Sequence, residues 1–191
     1  MNNKFEAVII DDSFVVREEF SKVLENIGFS KITAYPCVTR GALVHLGINT
    51  KDLKLLEGNR KREDIYNLQI EFAEEYNEGG YENTKFNIEE HKSNLVLFLD
   101  RELANGLHNL KDTYLPLNGD KFLKNFLNSG GKITVVGISK ALKAFNGIES
   151  EHLLGNTEVK ATRSIDLMSI EISKILAQNG IEIKTEKFKQ K

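Results

Sequence analysis

The sequence predicts an α/β fold in which a doubly wound parallel sheet is covered by helices on both faces, and three observations carry that prediction. Residues 7–10 and 95–99 are short continuous apolar runs that each end on aspartate, in AVIIDD and NLVLFLD. Residues 133–138, in KITVVGIS, have the same character but end on serine. Runs rich in Val, Ile and Leu without polar alternation belong to strands buried on both faces. Helical signals stand between the runs, and the alternation of strand and helix is that of a doubly wound domain.

Each element has its own justification. Ser13 is placed to cap a helix over SFVVREEFSKVLENIG, where Val16, Phe20 and Leu24 recur at spacing four and Gly28 supplies the stop. A strand is expected over 31–35, a short helix over 38–46 and a third helix over 121–127. The last helix, 165–177, carries Ile165, Met168, Ile172 and Ile175 on one face and ends at Asn179-Gly180. In the segment from 180 to 191, Ile181 and Ile183 alternate with polar residues before a lysine-rich end, which predicts an edge strand followed by a frayed tail.

Residues 51–92 break the rhythm. They are dense in charge, contain the Gly79-Gly80 break, and separate the second helix from the strand at Leu95 by more than the usual few residues. They read as an insertion holding an amphipathic helix on Ile65, Leu68, Phe72 and Tyr76, which is also the candidate docking or dimer surface. A smaller insertion, 103–114, follows Asp100. The length of 191 residues is thus one domain, 1–191, decorated on two connections.

Composition narrows the function. With 26 Lys+Arg against 28 Asp+Glu the formal net charge is -2, which gives no support to a general nucleic-acid-binding surface. One cysteine, Cys37, cannot build a disulfide framework or a cysteine zinc site; it reads as a small buried apolar residue in a reducing compartment. No apolar run approaches the roughly 18 residues of a membrane span, and MNNKFEAVIIDD lacks the layout of a signal peptide. A cytoplasmic protein is expected. His45, His91, His108 and His152 show no metal-ligand spacing, and His45 reads as a partly packed helix residue.

The informative residues are acids at strand ends. In an open parallel sheet, ligands bind beyond the carboxyl ends of the strands near the point where strand order reverses. Asp11 and Asp12 close the first run, Asp100 closes the third strand, Ser139 closes the fourth, and Lys160 and Arg163 lie around the end of the fifth segment, TEVKATRSID. Three gathered carboxylates repel one another, and a hard divalent cation such as Mg²⁺ relieves that repulsion. One carboxylate is then available as a nucleophile toward phosphorus, while a hydroxyl and a cationic side chain bond the other phosphoryl oxygens. Each residue also has a plainer reading: Asp11 and Asp12 as acids at a helix start, Asp100 as a turn former, Ser139 as a helix cap, Lys160 and Arg163 as surface charges.

The order of these motifs resembles a response-regulator receiver domain. VIIDDSFVVREEFSKVL resembles its first strand and helix, with Asp11-Asp12, Ser13 and Arg17 in family position, and LVLFLD resembles the strand that carries the phospho-accepting aspartate. LPLNGDKFLKNF is similar to the segment leading into the third helix, with Pro116 and Gly119 matching. VVGISK resembles the strand that ends in the switch hydroxyl, and EVKATRSIDLMSIEISKIL the lysine-proline segment before the last helix.

The resemblance implies a five-stranded flavodoxin-like sheet of order 2-1-3-4-5. It makes Asp100 the phospho-acceptor and Ser139 the switch hydroxyl, and it assigns the family's lysine to Lys160, with Arg163 as the alternative. Mg²⁺ would be held by Asp11, Asp12, Asp100 and the backbone carbonyl of Glu102. A histidine kinase or phosphotransfer protein would be the donor, and output would pass through contact with a downstream protein. Catalysis would be limited to phosphorylation and dephosphorylation of the chain's own aspartate.

The sequence departs from the family at four places: Ala161 where proline is expected, Lys140 after the switch hydroxyl, Thr157 or Lys160 where the fifth strand carries an aromatic, and the loop DRELANGLHNLKDTYLP. These departures fit a second reading, a degenerate receiver acting as a phosphorylation-independent adaptor or dimerisation unit. A third, a metal-dependent phosphotransferase or phosphatase, lacks the Asp-x-Asp motif at both strand ends.

Overall fold

The strand beginning at Glu6 has almost no solvent exposure from Ala7 to Ile10, since both of its faces are covered. This holds in the computed structural model, which describes residues 5–53, 55, 84–103, 112–114, 118–139, 145, 148, 151–159 and 164–183. In chain order the elements are β1 (Glu6–Ile10), α1 (Phe14–Ile27), β2 (Lys31–Tyr35), α2 (Arg40–His45), β3 (Ile48–Asn49), β4 (Asn87–Ile88), β5 (Leu95–Asp100), α3 (Gly119–Asn128), β6 (Thr134–Ser139), β7 (Leu153–Glu158) and α4 (Ile165–Gln178).

Five strands form a sheet of order β2-β1-β5-β6-β7 in which every pairing is parallel. Setting aside the two short strands β3 and β4, which pair with each other, this is the expected order 2-1-3-4-5 of a flavodoxin-like sheet. Side chains alternate across each strand and so divide the core in two. Val8, Ile10, Leu97 and Leu99 pack with Leu43 of α2 and Phe122 and Phe126 of α3. Ala7, Ile9, Val96 and Phe98 pack with Phe20 and Leu24 of α1 and Ile172 of α4. Each fully buried Leu, Ile or Phe here contributes about 1.5–3 kcal/mol by leaving water.

The helix limits follow local chemistry. Ser13 Oγ accepts the Val16 N–H at 3.5 Å to start α1, and Gly28, at φ 105°, returns its N–H to the carbonyls of Leu24 and Glu25 to end it. Helix α2 is shorter than the expected 38–46. Thr39, with extended backbone, is its cap, accepting the Ala42 N–H at 3.2 Å, while Val38 lies in the bend before it and its carbonyl receives the Tyr114 N–H at 2.9 Å. Helix α3 begins two residues earlier than expected, at Gly119. Among the described residues, no helix is long and apolar enough to cross a membrane.

The insertion is rooted by a hairpin that the sequence did not announce. β3 and β4 pair antiparallel, Ile48 with Ile88 and Asn49 with Asn87. Ile48 and Phe86 are buried in the α2–α3 side of the core, with Leu53, Leu55 and Ile88 against it. Phe86 stacks edge-on to Tyr114 and Phe122, and its N–H donates to Ser129 Oγ at 2.8 Å. The helix expected on Ile65, Leu68, Phe72 and Tyr76 lies outside the described residues.

The edge strand expected from Ile181 and Ile183 is not formed in 181–183, the described part of that segment. After Gly180, at φ 74°, these two side chains turn back and pack against the α1–α4 core. Their alternation therefore reports packing of a turn rather than strand pairing.

Candidate metal and phosphoryl-acceptor site

Ile10 and Leu99 are register partners on adjacent parallel strands, so the residues that follow them, Asp11 and Asp100, leave the sheet side by side at its carboxyl edge. Parallel pairing is what brings these distant acids together. Asp11 is held firmly: it is only 4% exposed, its Oδ1 accepts the Ser13 N–H at 2.7 Å, and its own N–H donates to the Tyr35 carbonyl at 3.2 Å. Arg17, one turn into α1, donates from Nη1 to the Asp11 carbonyl at 2.6 Å. Asp12 follows at the start of the same turn. Carboxylate oxygens of Asp11, Asp12 and Asp100 all lie within 4.8 Å of one another.

The electrostatics of that cluster are unfavourable as it stands. Two like charges 4.8 Å apart repel by roughly 3 kcal/mol at an effective dielectric of about 20. Asp100 responds by holding its proton: burial, and then the neighbouring charge of Asp11, push its carboxyl up to about 7, with Asp12 adding to the rise. The N–H groups of Arg101 and Glu102 oppose the shift, Arg101 donating to Asp100 Oδ1 at 2.8 Å. A carboxylate trio of this kind fits a hard divalent cation, which takes oxygen ligands and removes the repulsion. Mg²⁺ suits it, since it keeps several waters and is bound through one or two carboxylates with phosphoryl oxygens completing the shell.

The loop after Asp100 is fastened to α3. Glu102 bridges Asn118, and the Gly119 N–H donates to the Arg101 carbonyl at 2.7 Å. A Cβ on Gly119 would run into the Asp100 carbonyl oxygen and the Leu99 side chain, so this position has room only for glycine. Glu102 thus stands two residues past Asp100 in a braced loop.

Ser139 ends β6, next in the sheet to Asp100, whose register partner is Ile138. The backbone brings Ser139 to the same edge. Its side chain, and Lys160, Arg163, Lys140, Ala161 and Pro116, lie outside the described residues. Thr157, the other candidate for the fifth-strand switch position, is 2% exposed in β7, paired with Ile138, and its buried Oγ1 has no hydrogen-bond partner among the described residues.

Sequence reasoning missed what positions the acids. Arg17 stands in family position in the sequence, but its guanidinium bond to the Asp11 carbonyl, like the Tyr35 carbonyl under the Asp11 N–H, engages a backbone atom of Asp11, which carries no residue-type signal. Cys37 is buried, as expected; burial pushes its thiol up to about 11, which keeps it in the unreactive form at neutral pH. His45 is a partly packed residue of α2, as expected, with its Nδ1 3.1 Å from the Tyr35 hydroxyl.

No protein-family model matches the sequence, and no curated protein matches it. Among solved structures, a response regulator receiver protein from Pseudoalteromonas atlantica aligns with 91% of this chain and 98% of its own, at 8% identity and a TM-score of 0.42. The RcsB response regulator of Salmonella typhimurium, described for its conformational dynamism in DNA interaction, aligns with 96% of this chain at 14% identity and a TM-score of 0.44. This chain covers 64% of that second protein's length. At such identities and overlaps, function is to be argued from the acidic site itself.

Proposed function

We propose that this chain is a receiver that accepts a phosphoryl group on Asp100 from a histidine kinase or phosphotransfer protein and signals through protein contact. The observation that carries the reading is the convergence of Asp11, Asp12 and Asp100 at one sheet edge, with Asp100 the acid whose proton affinity is raised. Raised basicity in a carboxylate goes with nucleophilicity, and the neighbouring acids supply the ligands that a divalent cation needs.

In this reading a carboxylate oxygen of Asp100 attacks phosphorus, the P–N bond of the donor's phosphohistidine breaks, and an acyl phosphate forms on Asp100. Asp11, Asp12, Asp100 and the Glu102 carbonyl would hold Mg²⁺, which when bound neutralises the acids and accepts a phosphoryl oxygen. Arg17 keeps Asp11 in place through its carbonyl. Ser139 and Lys160, or Arg163, are proposed to bond the remaining phosphoryl oxygens. The added charge then biases the sheet edge between two states.

The test is treatment of the full chain with acetyl phosphate and Mg²⁺, read by intact mass. A phosphoryl adduct that is present in the wild type and lost in Asp100→Asn is the expected result. If no adduct forms and Mg²⁺ does not bind, the reading fails, and a phosphorylation-independent adaptor takes its place.

A further inference from the structure

The face of the sheet that α2 covers holds a second group of titratable side chains, away from the acids. Glu6 of β1 and Lys31 and Tyr35 of β2 meet His45, the last residue of α2. The His45 ring packs edge-on against Tyr35, with centroids 6.1 Å apart, and its Nδ1 lies 3.1 Å from the Tyr35 hydroxyl. Its Nε2 is buried, 3.7 Å from Glu6 Oε2.

This group lies where the two arms of the insertion's root converge. On the outgoing arm, Gly47 follows α2 at φ 80° and leads straight into β3. Its carbonyl receives the Glu89 N–H at 2.8 Å and the Glu90 N–H at 3.4 Å from the returning arm. Lys92, a little further along that returning arm, brings its charge to bear on His45. The groups facing the ring are therefore Glu6 from β1, Lys31 and Tyr35 from β2, and Lys92, paired with Glu90, from the segment after β4.

The charges balance only while the ring is neutral. Glu6 holds Lys31 at 3.6 Å and Glu90 holds Lys92 at 3.9 Å, so a proton on His45 leaves one cation unmatched beside two lysines. The proton also changes the hydrogen bonding: a neutral Nδ1 can accept from the Tyr35 hydroxyl, whereas in the protonated ring both nitrogens are donors. Burial, then Lys92 and Lys31, hold the ring's titration below 6.5 against the pull of Glu6. The hairpin at stake is small, two residue pairs and the Gly47 contacts, which is the size of unit that opens without the rest of a fold.

We propose that His45 is an acid-sensitive clasp at the root of the insertion: with the ring neutral the two arms of the β3–β4 hairpin close beside α2, and with the ring protonated they separate. The open arms expose His45 to water and move Lys92 away from it, so the open state takes up the proton that the closed state resists. Acid then favours opening, and by linkage the effect begins as pH falls through 6.5.

Amide hydrogen exchange on the full chain, corrected for intrinsic rates, tests this at Glu89 and Glu90. Between about pH 7.5 and about pH 5.5 their protection is expected to fall by roughly threefold or more, while that of β5 does not fall in step. His45→Gln is expected to abolish the fall, and Lys92→Met, which removes a like charge at a partly exposed position, to blunt it. The His45 ring proton in the wild type is expected to titrate below 6.5 by NMR, a reading that needs no variant. The proposal is overturned by a wild-type hairpin indifferent to pH, by an acid effect that survives intact in either variant, by β5 opening in step with the hairpin, or by a ring that titrates at or above 6.5.

Discussion

Asp11 and Asp100 stand on adjacent strands at the same level of the sheet, each directly after one member of the Ile10–Leu99 register pair. Their carboxylates are neighbours because of that register; burial raises the proton affinity of Asp100, and the charge of Asp11 set beside it raises it further.

The first prediction concerns pH. Asp100 ordinarily titrates near 3.8 and is pushed up to about 7 in the fold, so between those values the native state binds more proton than the unfolded chain. Stability from this group is complete below 3.8 and is lost as pH rises toward 7. Urea titrations in EDTA should show the wild type losing stability across that window relative to Asp100→Asn. Saturating Mg²⁺ should remove the difference in slope, because the cation displaces the proton. Parallel curves for the two proteins in EDTA would contradict the assignment.

Asp11→Asn should remove the largest charge acting on Asp100 and lower its titration toward the ordinary carboxylate range. Carbon-detected NMR of the side-chain carboxyls reads that directly. The same substitution should weaken Mg²⁺ binding by about tenfold or more, since one of three acids is gone.

Gly119→Ala forces a methyl group against the Asp100 carbonyl and Leu99. Overpacking of this kind costs typically about 1–3 kcal/mol, and here the strain falls on the residue proposed to accept the phosphoryl group. Denaturation should show the loss, and the rate of phosphoryl transfer from acetyl phosphate should fall with it. Unchanged stability would mean that α3 shifts freely away from the sheet.

Phe86 anchors the base of the insertion through Tyr114, Phe122 and the Ser129 hydroxyl. Phe86→Ala should destabilise the fold by about 3–5 kcal/mol, as large buried truncations do. Amide exchange should rise first at β3, β4 and the end of α3. If exchange rises evenly over the whole sheet instead, the hairpin is an integral part of the core rather than a graft upon it.

His45 supplies an opposite pH dependence. Burial, followed by the charges of Lys92 and Lys31, lowers its titration from 6.5, against the pull of Glu6. The unfolded chain therefore binds its proton more readily, and this contribution to stability is lost as pH falls through 6.5. His45→Gln should flatten that part of the profile while retaining a partner for the Tyr35 hydroxyl.

Much of this could be read in the sequence, for local reasons. The apolar runs at β1, β5 and β6 report burial on both faces directly, and Ser13 and Gly28 mark the ends of α1 by their own backbone and side-chain chemistry. Asp11, Asp12 and Asp100 were identifiable because a strand end fixes where the next side chain emerges. Other features had no local signal. Two-residue strands such as β3 and β4 are too short for periodicity to register, and they exist because Ile48 and Phe86 find the α2–α3 core. Ile181 and Ile183 show the converse, an alternating pattern whose side chains the tertiary structure uses to close a turn over α4.

The sequence by itself determined the class of fold, the limits of α1 and α4 and the acids that meet at the sheet edge, because each depends on neighbours within a few residues. Tertiary structure alone decided the proton affinity of Asp100, the need for glycine at 119, the rooting of the insertion and the charges gathered around His45. Each of those depends on distances between segments remote in the chain, and Coulomb repulsion, steric contact and burial act through space whatever the separation in sequence.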